Sequence, residues 1–281
     1  MSGNEIATTS IDFETILQKA ISLPGIKVDR SLFLKRTLSK HYSDESVKRA
    51  IETNPAQAGI SVAELERISK ACINYETSKV TGLSAAAGMP GGWFMAATIP
   101  ADAVQFFGHI LRILQKLAYL YGWQDMHITE KGEIDDETLN ELVLFIGVMF
   151  GVAAANVTLF KIAELAAQNV PKKLVQEALT KGTIYPIVKK IASAIGVKMT
   201  KAVFAKGVGK VVPVVGAIAS GTITYVLFKP MSKRLKNYLA GLKMASVEHY
   251  QELGDENSVI DVDYSDIVFE EIDKFEEDGQ I

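Results

Sequence analysis

One cysteine, Cys72, is all the chain has, so an internal disulfide is excluded and a reducing compartment fits. Cys72 lies in "SKACINY" on an expected helix, where a small buried hydrophobe is favoured over a reactive thiol. The polar N-terminus, "MSGNEIATTSIDFE", has neither a basic n-region nor an apolar h-region, so no secretory signal is expected. Residue 2 is Ser rather than Gly, so myristoylation is not signalled. His41, His109, His127 and His249 are scattered, and there is no HExxH, no cysteine pair and no DxDxDG. No metal, cofactor or catalytic residue is therefore assigned. "GMPGGW" (88–93) matches neither glycine-rich phosphate loop, and Ser84 and Ser220 lack the context of a nucleophile. Strands are scarce too. Only "VIDVDY", from residue 259, alternates, and it reads as extended tail.

What is present is helical periodicity over most of the 281 residues. Helices are expected over 11–22, stopped by Pro24-Gly25, over 29–42, with Leu32, Leu34 and Leu38 inward, and over 43–52, capped by Ser43. A capping box, Ser61 with Glu64, should open a helix over 61–79. Long helices follow over 101–123, 139–168 and 213–246, with shorter basic helices between the last two. The expected fold is all-α: a single compact multi-helix domain, 1–251, with long apolar central helices, followed by an acidic C-terminal tail, 252–281.

Charge is unevenly spread. Residues 252–281 hold twelve Asp/Glu against one Lys, while 172–243 hold fourteen Lys/Arg against Glu177. Two runs carry no charge, Leu142 to Phe160 and Val211 to Phe228. Each contains small residues four apart: Gly147, Gly151 and Ala155 in one, and Gly216, Ser220 and Thr224 in the other. Such stripes signal close helix packing in lipid or in a protein core alike. Spanning by both runs would place a lysine-rich link outside, against the positive-inside tendency, so the buried-core reading is favoured. Lys189, Lys190, Lys198, Lys201, Lys206 and Lys210 are candidate contacts for anionic headgroups, with Ile187, Ile191, Ile195 and Val203 entering the interface. No nucleic-acid partner is expected, because this patch has few aromatics, little Arg and a whole-chain pI near 5.9.

On the 101–123 helix, Asp102, Gln105, His109, Arg112 and Lys116 recur at three- and four-residue intervals as one polar stripe. A solvent-facing or register-fixing role is favoured over catalysis, with Arg112 a possible partner for an enclosed Asp102. At these residues the chain resembles the EcsC protein family. "GMPGGWFMAATIPADAVQFFGHILRILQKLAYLYGWQD" is similar to one family signature, with Asp102, Arg112, Tyr121 and Gly122 at its motif positions. "GKVVPVVGAIASGTITYVLFKPMSKRLKNYL" is similar to the second, with Thr224 where many relatives have Asn. The resemblance implies a bacterial, transport-associated protein of unestablished activity and transfers no catalytic residue. The leading expectation is a non-enzymatic cytoplasmic protein that docks on the inner membrane surface or on a membrane protein. The rivals are an enzyme or small-ligand binder with a pocket near 88–112, and an integral helical membrane protein. The acidic tail is expected to mask the lysines.

Overall fold

The computed structural model describes residues 13–87, 101–129, 131–167, 181–194 and 221–255. Among them every regular element is helical: α1 (Phe13–Ile21), α2 (Arg30–Leu38), α3 (Asp44–Glu52), α4 (Val62–Ala87), α5 (Ala101–Leu120), α6 (Asp136–Phe150), α7 (Ala153–Ala167), α8 (Lys181–Ala194), α9 (Gly221–Ala240), a 3-10 turn (Lys243–Ala245) and α10 (Val247–Asp255). The tail from 256, the 195–220 segment and the glycine-rich 88–100 turn lie outside the described residues. So do Lys198, Lys201, Lys206 and Lys210, Ile195 and Val203, the strand-like "VIDVDY", and the small residues Gly216 and Ser220.

The helix starts follow local chemistry. Asp29 Oδ1 accepts from Leu32 N at 2.7 Å, Ser43 Oγ from Ser46 N at 3.3 Å, and Asp135 Oδ1 from Thr138 N at 2.7 Å. The capping box forms in both directions: Ser61 N donates to Glu64 Oε2, and Glu64 N to Ser61 Oγ, each at 3.4 Å.

The central helix α5 is buried almost all round, from Phe106 to Tyr121. Helices α1, α2 and α4 pack on it, and α9 lies across α4, α5 and α6. On the far side α6 carries α7 and α8. The buried residues form one continuous hydrophobic cluster, which includes edge-to-face pairs of Phe13 with Phe107 and Trp123 with Phe145. Lys236 of α9 pairs with Glu66 of α4 at 2.6 Å.

The helix expected over 139–168 is two helices. Gly151 takes φ +76°, and its N–H and that of Val152 close onto carbonyls of the last turn of α6. The chain then turns back as α7. The small-residue stripe still packs closely, but within this corner. A Cβ on Gly147 would lie 2.5 Å from Ala155 Cβ and 2.8 Å from Ile187 Cγ2. In the last expected helix the described part runs over α9 and stops at Ala240. No helix among the described residues is long and apolar enough to cross a membrane.

Two expectations about side-chain placement are corrected. Leu34 and Leu38 are fully buried, but Leu32, in the first turn of α2, is 45% exposed. Ile187 and Ile191, expected to enter a membrane interface, are fully buried and part of the hydrophobic core, so they are not available to lipid.

Candidate functional site: a basic groove on α5

The polar stripe of α5 does not face solvent along its length. Gln105 is exposed, His109 and Arg112 are half-buried, and Lys116 is buried. The stripe dips beneath α4, where it meets a carboxylate that the sequence reading did not single out. Glu76 has no exposed side-chain area; its Oε1 accepts from Lys116 Nζ at 2.5 Å and from Arg112 Nε at 3.2 Å. Burial alone would raise the Glu76 pKa. The Lys116 hydrogen bond and the charges of Lys116, Arg112 and Lys79 outweigh burial and hold it below the ordinary carboxylate value. Its Oε2 and the nearby His109 Nδ1 are buried without a hydrogen-bond partner among the described residues. Burial lowers the His109 pKa, and the Arg112 and Lys79 charges act in the same direction against that of Glu76.

Glu76 could have been found from spacing. Leu65, Ile68, Cys72 and Glu76 recur at three and four residues, so this acid sits on the inward stripe of α4. A charge there requires a partner from a neighbouring helix.

The same residues of α5 fasten the link between α1 and α2. Arg112 donates to the Gly25 carbonyl. Gln115 Nε2 donates to the Ile26 carbonyl at 3.0 Å, and its Oε1 accepts from Val28 N at 3.0 Å. This clasp, together with Arg30, sets the position of α2. Arg30 donates to the carbonyls of Trp123 at 3.0 Å, Ile51 at 2.7 Å and Thr53 at 2.9 Å.

Between α2 and α4, above Lys116, lies an open groove of about 730 Å³. Six cations line it: Lys27, Arg36, Lys40, Arg67, Arg112 and Lys116; Asp29 is the one acid among the lining residues. Arg112 and Lys116 are engaged by Glu76, whereas Arg36, Lys40 and Arg67 form no ion pair with a described carboxylate. Lys116 Nζ lies between two aromatic rings, 5.7 Å from the centroid of Phe33 and 5.8 Å from that of Tyr75. Leu32 and Tyr75, which stand at the groove, are 45% and 56% exposed. Cationic side chains therefore alternate with uncovered apolar ones. Cys72 also lines the groove, and burial pushes its thiol pKa up to about 11, which disfavours a nucleophilic thiolate.

Of the sequence candidates, Arg112 reaches this groove and His109 does not. Asp102 is placed by its backbone in the first turn of α5, and its side chain lies outside the described residues; among those, Glu76 is the carboxylate that engages Arg112. Tyr121 is buried in the core with its hydroxyl 3.2 Å from Ser69 Oγ. Gly122, at φ +102°, ends α5 and lets Trp123 N reach the Ala118 carbonyl at 3.0 Å; a Cβ there would meet the Met244 carbonyl at 3.0 Å. Lys189 and Lys190 are exposed side by side on α8, away from the groove lining. Among the described residues no group of His, Cys, Asp and Glu could hold a metal ion.

No protein-family model, curated protein or solved structure matches the chain.

Proposed function

We propose that the protein is a non-enzymatic docking protein of the cytoplasmic membrane face, and that the groove between α2 and α4 receives the anionic headgroups. The carrying observation is the meeting, in one concave surface, of Arg36, Lys40 and Arg67, which form no ion pair among the described residues, with exposed Leu32 and Tyr75. Phosphates would meet the cations while Leu32 and Tyr75 enter the headgroup boundary. Each cation held near an anionic surface contributes on the order of 1 kcal/mol. Membership of the EcsC family belongs to the same proposal and is supported by the two sequence blocks that carry the resemblance.

Vesicle flotation tests this reading. The full chain should float with phosphatidylglycerol-containing vesicles, not with pure phosphatidylcholine, and salt should release it. R36E/K40E/R67E should weaken binding by on the order of a hundredfold, as expected for three charges of that worth. K189E/K190E should leave binding unchanged. Loss of binding in K189E/K190E with retention in the groove variant would move the contact to α8. Failure of the protein and of a variant with a neutralised tail to bind any anionic vesicle would overturn the proposal, and saturable capture of inorganic phosphate alone would replace it with a soluble anion.

A further inference from the structure

We infer that the groove between α2 and α4 is also the docking surface for this chain's own acidic C-terminal segment, 256–281, which competes there with the membrane. The inference rests on the docking role proposed for the groove.

Three observations carry it. The first is charge complementarity: the segment holds ten Asp/Glu against Lys274, and the groove holds six cations against Asp29. The second is that the match is not only electrostatic. Ile260, Tyr264, Ile267, Val268, Ile272 and Phe275 are interleaved with the acids. The groove offers Leu32, Phe33 and Tyr75 between its cations, so one segment can satisfy both kinds of surface. The third is the position of the segment's root. Tyr250 of α10 lies close to Asn54. The neighbouring Thr53 carbonyl accepts from Arg30, the first residue of α2. The last described turn of the chain thus starts beside the N-terminal end of the helix that forms one wall of the groove. Helix α2 has nine residues and is about 14 Å long at 1.5 Å per residue. The 26 residues beyond Asp255 reach up to roughly 85 Å when extended, so the groove is well within their span. A tether of this kind gives an effective concentration on the order of millimolar, enough for a weak contact to be populated.

Helix α8 is a less favourable place for the segment. Its exposed Lys189 and Lys190 stand beside apolar residues, Ile187 and Ile191, that are already buried, so this helix offers charge without an apolar seat.

The test uses the full-length chain with Asp261→Asn, Asp263→Asn, Asp266→Asn, Glu270→Gln and Glu271→Gln, and a membrane-free readout, the rate of Cys72 modification by N-ethylmaleimide. Cys72 lines the groove, so a docked segment shields it. Modification of the native chain at low salt should be several-fold slower than in the tail-neutralised chain. Salt should abolish the difference, and R36E/K40E/R67E should remove the protection. Anionic vesicles should capture the tail-neutralised chain at lower lipid concentration than the native one. Equal Cys72 rates and equal vesicle binding in the two chains would overturn the inference while leaving the membrane-docking reading intact. Cys72 protection by the tail with no vesicle binding by either chain would sustain the inference and remove that reading. Protection that rises with protein concentration would assign the contact to the tail of a second copy and overturn the intramolecular form.

Discussion

Glu76 is the residue on which the centre of the site turns. Its carboxylate offsets two cations that α5 brings beneath α4. Removing one member of a buried ionic cluster costs about 3–5 kcal/mol, because the remaining charges lose their counter-ion. Glu76→Ala should therefore shift the urea midpoint strongly downward, and Glu76→Leu combined with Lys116→Met should recover part of the loss. The same cluster sets an acid sensitivity whose sign is fixed. The Glu76 pKa lies below its reference of 4.5, so its stabilisation is present above that value and is lost as pH falls through the folded-state value. The His109 pKa lies below 6.5, so the unfolded chain takes up a proton first, and stability declines as pH falls from about 6.5 through the folded-state value. Thermal melts across pH should show His109→Gln losing the upper of these two windows and keeping the lower.

The elements show why some boundaries were readable and one was not. Caps at Asp29, Ser43 and Ser61 act within three residues, so their hydrogen bonds follow from local sequence. The corner between α6 and α7 was concealed by the uncharged run around it, in which Gly151 read as part of a packing stripe. A single left-handed residue decided otherwise, and Gly147 then became the point where the returning helix touches. Gly151→Ala should cost about 1 kcal/mol for an L-residue held at positive φ. Gly147→Ala introduces a methyl group 2.5 Å from Ala155 Cβ and should cost about 1–3 kcal/mol through overpacking. Calorimetric Tm values should therefore fall further for Gly147→Ala than for Gly151→Ala. Gln115→Leu should release the 25–28 link from α5, read as faster limited proteolysis near Gly25 with α5 itself still protected.

For the whole molecule, the helical class was legible because apolar spacing of three and four repeats along the chain. The groove was not, since its walls come from residues 27–41 and 67–75 and its floor from Arg112 and Lys116. Only the tertiary arrangement makes these neighbours, and the lysine count alone drew attention to 172–243 instead. Arg30 is a compact example of such long-range assembly. It joins carbonyls 21, 23 and 93 residues away in sequence. Contacts that close chain loops this long reward the chain only after much of it is ordered. Arg30→Lys keeps the charge but loses the planar fork that reaches three carbonyls at once. In stopped-flow chevrons its effect should fall on the unfolding limb, with the refolding rate nearly unchanged. Arg30 would then govern how long the native state persists once formed, rather than how quickly it is reached.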